Sequence, residues 1–297
     1  MEGALDGRIA VITGAGRGLG REHALLFARE GARVLVNDVG SFLDGSVGDP
    51  SVAAAVVEEI RSLGGEAIAN TESVSDWHGA ERMIRAAIES FGDLHILVNN
   101  AGFIRDRMFV NLTEAEWDSV IQVHLKGHAA PSRWAATYWR EQMKTGRKVA
   151  AAIVNTSSHA GLVGQMGQSN YAAAKAGIAA LTINQAIELA QYGVRANAIS
   201  PAARTRLTEA TAAMSLTVAP PAQEGEFDTF DPGNISPLVA YLASESCSLT
   251  GKILWIKGGE ITLMHGWSDG PTVSLGRRWT VAELAVAIPQ LQADVRP

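Results

Sequence analysis

Cysteine is nearly absent from this chain. Only Cys247 stands among 297 residues, which excludes an internal disulfide and fits a reducing compartment. Long apolar runs are missing too: Gly, charged or turn residues break each one before it reaches the length of a membrane span. Residues 1–7 hold two acids and no apolar core, so no secretory signal is expected. A cytoplasmic protein without a membrane span is the expectation. Positive charge is not in excess either. The formal charge of −6 argues against wholesale nucleic-acid binding. It leaves room for a small anionic ligand, since local basic residues can oppose the global sign. No metal site is expected.

What the chain does have is apolar content, 47% of its residues, enough to bury a large core. Its length allows one large domain or two small ones. Short β-rich runs alternate with longer helical patterns, the signature of an α/β fold with a parallel sheet. The expected strands are Arg8–Thr13, Ala32–Asp38, Glu66–Asn70, Ile96–Asn99, Ala151–Thr156, Arg195–Ile199 and Ile253–Lys257. Several are near-continuous apolar runs, as suits strands covered by helices on both faces. The expected helices are Gly18–Glu30, Val52–Ser62, Trp77–Phe91, Thr113–Met143, Ser169–Gln191 and Pro237–Ser244. Thr113 and Glu116 form a capping-box pattern, and Ser236-Pro237 reads as N-cap and first helical residue. Nothing interrupts the alternation, so residues 1–264 are expected to form one domain. Gly40–Pro50 and Ala202–Asn234 read as loops, and the second is long enough to be a lid. The tail, residues 265–297, follows the last strand as an extension. Within it Val281–Leu291 has the pattern of a short helix that Thr280 can cap.

The first strand runs into Thr13-Gly14-Ala15-Gly16-Arg17-Gly18-Leu19-Gly20, and a helix follows. Glycines let such a turn bring N–H groups against a pyrophosphate, and the helix N-terminus favours the negative charge. The pattern is weak alone. A strand before it, and a helix and second strand after it, make it a dinucleotide-binding turn. Asp38 ends the second strand, where a carboxylate accepts hydrogen bonds from adenosine ribose hydroxyls and repels a 2′-phosphate. That favours NAD over NADP, with Arg17 as a softening charge. A strand-end Asp that caps the next turn is the plainer alternative. Asn99-Asn100-Ala101-Gly102 closes the fourth strand, in the region where open α/β sheets bind ligands.

Tyr171 and Lys175 are four apart on a predicted helix and share a face. Ser158 follows the fifth strand. A phenol, with a pKa of about 10, is a poor base at neutral pH. A nearby ammonium and a positive nicotinamide ring would lower that value. Tyr171 can then exchange a proton with a substrate oxygen while hydride moves to or from the ring. Ser158 would hydrogen-bond the reacting oxygen, and Lys175 the nicotinamide ribose. No one of the three is informative alone. Their weight comes from the combination with the nucleotide turn.

Together with Asn197-Ala198-Ile199-Ser200-Pro201, these motifs resemble those of the short-chain dehydrogenase/reductases, in order and spacing, from about Leu5 to Glu260. The resemblance implies a Rossmann doubly wound α/β fold, with a seven-stranded parallel sheet flanked by helices on both faces. It implies that Gly14, Gly16, Arg17, Gly18, Leu19 and Gly20 hold the pyrophosphate. Ser73 and Val74 would lie against adenine, and Asn100, with Ala101 and Gly102, near the adenosine ribose. Ile199, Pro201 and the residues after them would border the nicotinamide, with Thr205 placed to bond its carboxamide. The resemblance also implies a homodimer or homotetramer. Small residues such as Ala172, Ala176 and Ala180 on Ser169–Gln191 would allow close helix approach.

Further stretches are similar to one subgroup: Asn37–Gly40, Val56–Arg61, Gly64–Ala67, Arg105–Arg107, Val123–Leu125, Gly167–Tyr171 and Glu245–Cys247. That subgroup is the (3R)-hydroxyacyl-CoA dehydrogenase unit of peroxisomal multifunctional β-oxidation enzymes, also called a 17β-hydroxysteroid dehydrogenase. Two positions depart from the wider family. His124 stands where many members have an Asn that helps a proton relay, although the subgroup resembles this chain in having Val-His-Leu there. The imidazole either relays protons or packs. The usual Pro-Gly becomes Pro201-Ala202, which alters the turn before Thr205.

Substrate is expected to enter between Phe103–Val110, His159–Gln168 and Ala202–Glu224. Arg105, Arg107, Arg204 and Arg206 would lie on the rim, where they could meet CoA phosphates. The leading expectation is NAD-dependent interconversion of a secondary alcohol and a ketone, on a 3-hydroxyacyl-CoA or steroid-type substrate. A 3-oxoacyl-carrier reductase is a second reading, against which Asp38 speaks. A dinucleotide-binding module without turnover is a third, against which the intact Ser158, Tyr171 and Lys175 speak.

Overall fold

Parallel strands, the central ones buried on both faces, form the centre of the fold. They are β1 (Ile9–Thr13), β2 (Arg33–Asn37), β3 (Ala67–Asn70), β4 (Ile96–Asn99), β5 (Ala151–Thr156), β6 (Val194–Ala202) and β7 (Ile253–Lys257). With β8 (Glu260–Met264) they make one sheet in the order β3-β2-β1-β4-β5-β6-β7-β8. This is a computed structural model, and it describes residues 3–42, 46, 48–209, 212–223 and 225–293. The strand order reverses between β1 and β4, where a crevice opens at the carboxyl ends of the strands.

Every residue of β1, β4 and β5 is buried, which is why their sequences are continuous apolar runs rather than alternating ones. The pleat sends Ala10 and Ile12 to one face and Ile9 and Val11 to the other. On the first face lie α1 (Gly18–Arg29), α2 (Ser51–Ser62) and α9 (Ser236–Ala243). On the second lie α3 (Trp77–Phe91), α5 (Gly127–Lys144) and α7 (Ser169–Leu189). The remaining helices of this unit are α4 (Glu114–Ile121), α6 (His159–Val163) and α8 (Ala212–Thr217).

Within residues 1–264 four expectations need correction. The sheet has eight strands, not seven, because Gly258-Gly259 turns the chain back and β8 pairs antiparallel with β7. Gly258 has φ +54, the backbone that a two-residue hairpin turn requires. The helix expected over Thr113–Met143 is split: a π-helical turn, Gln122–Lys126, separates α4 from α5. The turn precedes Pro131, which has no N–H for the helix ladder. The capping box of Thr113 and Glu116 is present. Ser236 is already helical and caps nothing; its Oγ lies 2.8 Å from His23 Nδ1. The segment Ala202–Asn234 is not all loop, since it contains α8 and a 3-10 turn, Pro232–Ile235. Residues 210, 211 and 224 of that segment, and 43–45 and 47 of Gly40–Pro50, lie outside the described residues.

The chain divides into two compact units, residues 1–264 and 265–297. In the second, Thr280 and Glu283 form a capping box for α10 (Val281–Ala287). Pro289 then separates it from α11 (Gln290–Ala293), so the expected Val281–Leu291 helix is two short ones. Among the described residues no helix is long and apolar enough to cross a membrane.

Candidate active site

A cavity of about 550 Å³ opens beyond the carboxyl ends of β1, β2, β4, β5 and β6. Of the catalytic and cofactor residues predicted from sequence, Gly16, Gly20 and Ile199 fall off its wall, as do the rim residues Arg105, Arg107 and Arg204. Ile199 is in the core, and the two glycines shape the turn instead.

At one end the turns after β1 and β4 meet almost backbone to backbone. Gly14 has φ +63, and a Cβ there would lie 2.7 Å from Ala101 Cα, so a side chain would push the turns apart. At Gly20 a Cβ would lie 2.2 Å from Gly14 O. Thr13 Oγ1 accepts from the N–H groups of Asn100 and Ala101, at 3.0 and 3.2 Å. Asn100 Nδ2 donates to Thr13 O and Gly14 O, both at 3.0 Å. Asn100 thus staples the two turns together. Asp38 Oδ2 accepts from Gly16 N–H at 2.9 Å, and Oδ1 from Gly40 N–H at 2.7 Å. The turn-capping alternative is therefore real, yet each carboxylate oxygen keeps a further acceptor position. Gly18 has φ +53, and a Cβ there would find only Thr205 within 4 Å, at 3.8 Å. These residues fit a dinucleotide: the close-packed glycines set the turn, Gly18 leaves space above it, and the α1 N-terminus follows.

At the other end Tyr171 and Lys175 lie one turn apart on α7. Lys175 is 2% exposed, and its Nζ donates to Thr156 O at 2.6 Å. Burial pushes it down to about 7. The ammonium lies 5.4 Å from the Tyr171 ring centroid. Burial pushes the Tyr171 phenol up to about 12, with the Ser158 hydrogen bond pulling it down and Asp106 pushing it up. The expected lowering is therefore not achieved by the protein's own groups, since burial outweighs them. Ser158 caps α6, its Oγ accepting from Ala160 N–H at 3.3 Å. That leaves the hydroxyl hydrogen free to donate.

His124 sits in the π-helical turn, 1% exposed. Its Nε2–H donates to Phe103 O at 2.6 Å. Burial, aided by the Lys175 charge, holds the imidazole down at about 3, so it is neutral. The ring meets Tyr171 edge-on at 5.2 Å, and a Cβ on Gly102 would lie 2.3 Å from its Cε1. The imidazole wedges between Gly102 and Tyr171.

Sequence reasoning overlooked two side chains here. Ser157 Oγ donates to Lys175 O at 2.9 Å and ties α7 to the end of β5. His128, fully buried, accepts from Thr156 N–H at 3.4 Å, bracing the residue whose carbonyl holds Lys175. The Ser157-Ser158 pair at a strand end was the one available signal. Nothing in the local pattern marks His128.

Phe103, Ile104, Gln165, Gln168, Val218 and Phe230 line the remaining wall. The four rim arginines do not act alike. Arg107 is paired with Glu116 at 2.9 Å, and Arg204 with Asp228. Of the four, only Arg206 lines the cavity.

Residues 8–216 match the model of the short chain dehydrogenase family. Over 263 residues the chain is 45% identical to hydroxyacyl-CoA dehydrogenase ChsB1 of Mycobacterium tuberculosis, which covers 88% of this chain and 80% of that protein. It is 44% identical over 260 residues to peroxisomal multifunctional enzyme type 2 of Drosophila melanogaster; that match covers 88% of this chain but 40% of the relative. The crystal structure of a short chain dehydrogenase from Mycobacterium avium superposes with a TM-score of 0.88 at 48% identity, over 99% of this chain and 98% of that one.

Proposed function

The chain belongs to the short-chain dehydrogenase family, as an oxidoreductase acting on CH–OH groups, and on that premise we propose that it oxidises a 3-hydroxyacyl-CoA or steroid-type alcohol with NAD. The observation that carries this reading is the single cavity with Asp38 and the glycine turn at one end and Ser158, Tyr171 and Lys175 at the other. The name of the Mycobacterium tuberculosis relative supports the thioester.

In oxidation Tyr171 Oη takes the proton of the substrate hydroxyl, and Ser158 Oγ–H donates to the same oxygen. Bound NAD supplies the hydride acceptor and a positive ring. Phenolate on Tyr171 and ammonium on Lys175 stabilise each other, so the two side chains gain charge together. Lys175 also holds the nicotinamide ribose. His124 keeps the Tyr171 ring in place. Asp38 accepts from the adenosine ribose and selects NAD over NADP. Residues 1–264 form the dehydrogenase domain with a lid near 202–234, and 265–297 an extension. The protein works in the cytoplasm as a homodimer or homotetramer joined through α4, α5 and α7.

The test is to titrate NAD⁺ and NADP⁺, then to assay 3-hydroxyacyl-CoA and steroid alcohols with Tyr171→Phe as control. That variant is expected to lose a factor on the order of 10²–10⁴ in kcat. Unchanged turnover would defeat the mechanism. Preference for NADPH with carrier-bound 3-oxoacyl groups would favour the reductase reading instead.

A further inference from the structure

We propose that His128 is a positioning residue for Lys175, fixing the end of β5 so that Thr156 O meets the ammonium. This deepens the mechanism above and rests on it. The β4–β5 ladder ends one residue short of Thr156, at Asn99 and Asn155. There β4 turns away, and Asn100 N–H donates to Thr13 Oγ1 instead. Alternate residues of a strand face opposite neighbours. Ala152 N–H donates to His95 O on the β4 side, and Ser157 N–H to Ile199 O on the β6 side. The N–H and C=O of Thr156 therefore face the side that β4 has left. Two helix side chains take those groups. His128 of α5 accepts the N–H at 3.4 Å, and Lys175 of α7 donates to the C=O at 2.6 Å. The imidazole and the ammonium stand in for the missing strand.

α5 reaches both strand ends. One turn after His128, Ser132 Oγ donates to His128 O at 2.7 Å and accepts from Asn99 Nδ2 at 2.9 Å. Asn99, Ser132, His128, Thr156 and Lys175 thus form one chain of contacts, each residue 6% exposed or less. Accepting from an N–H needs a bare Nε2, so the ring is neutral with its proton on Nδ1. Burial and the Lys175 charge favour that neutral form. Without the ring, Thr156 N–H is buried and unpaired, and the end of β5 shifts to find it a partner. The carbonyl that holds the ammonium moves with it. A buried ammonium that loses its acceptor is harder to protonate. Beside it stand the Tyr171 ring, 5.4 Å away, and His124, which is neutral.

The experiment uses the full chain. In ligand-free wild type, ¹⁵N NMR reads the His128 tautomer. A proton on Nδ1 is expected, and a proton on Nε2 overturns the proposal; this reading decides should a variant not fold. Then ¹³C NMR of labelled lysine, assigned with Lys175→Met, follows the Lys175 midpoint. His128→Leu should lower it by about one pH unit from about 7. His128→Gln sets an amide oxygen where Nε2 stood and should keep the midpoint. His128→Asn is polar but too short to reach Thr156, and should behave as His128→Leu. With NAD⁺ and a 3-hydroxyacyl-CoA, the acid limb of the kcat profile should move up in the Leu and Asn variants. That is about a tenfold loss on the limb, and the Gln variant should be spared it. A Gln variant no better than the other two overturns the proposal, as does an unmoved Lys175 midpoint or a loss equal at every pH. Wild type without turnover would bring down the mechanism above, while the tautomer and the lysine midpoint still judge His128.

Discussion

Lys175 is held inside the protein at a cost that can be measured. Its pKa lies at about 7 in the fold, against 10.5 ordinarily, and burial is the cause. Between those values the unfolded chain holds a proton that the folded chain lacks. Stability therefore rises with pH across that window, by about 1.4 kcal/mol per unit. Integrated over it, the buried side chain costs about 4 kcal/mol at pH 7 and about 2 kcal/mol at pH 9. Lys175→Met keeps the apolar stem and removes the titration. It also leaves Thr156 O without the Nζ donor, which costs about 1–2 kcal/mol. The variant should thus be about 2 kcal/mol more stable than wild type at pH 7, with the advantage gone by pH 9. Urea unfolding of ligand-free protein at the two pH values measures the gap. A variant less stable at pH 7, or a gap that does not move with pH, would refute the reasoning. The same variant should be inactive, a site where stability is given up for function.

Two further outcomes follow from buried groups. His23 is neutral at about 3 through burial, below the ordinary 6.5, so it contributes stability above pH 6.5 that is lost as pH falls toward 3. Wild type should lose about 2 kcal/mol between pH 7 and pH 5 that His23→Gln does not lose; denaturation curves that fall in parallel would contradict this. Gly102→Ala drives a methyl into the His124 ring and should destabilise by about 1–3 kcal/mol, with a loss of kcat because that ring abuts Tyr171. Adding His124→Ala should recover part of the stability, and a harmless Gly102→Ala would show that the ring can move.

Much of the fold is legible in the order of residues alone. Buried parallel strands write continuous apolar runs, so β1, β4 and β5 stand out. The helix caps at Thr113 and Thr280 are local patterns and are found where the residues place them. The strand β8 also leaves a trace in Lys257-Gly258-Gly259-Glu260, two glycines between apolar runs, but the trace is short. The π-helical turn at His124 leaves only Pro131 as a trace, inside the expected helix, and the His124 ring it buries packs on Phe103 and Gly102 from another part of the chain.

By itself the sequence determined the chemistry available: a glycine turn after a strand, an acid at the next strand end, and Ser158, Tyr171 and Lys175 in order. Spacing along the chain is enough for that, since each motif is local and strand ends share one edge of a parallel sheet. Only the tertiary structure decided how those groups are charged and which charges are free. Burial, which no linear pattern measures, raises Tyr171 and lowers Lys175. Distant partners, Asp228 and Glu116, pair with Arg204 and Arg107, while Arg206 lines the cavity. Desolvation and ion pairing depend on distances through space, and the fold alone sets those.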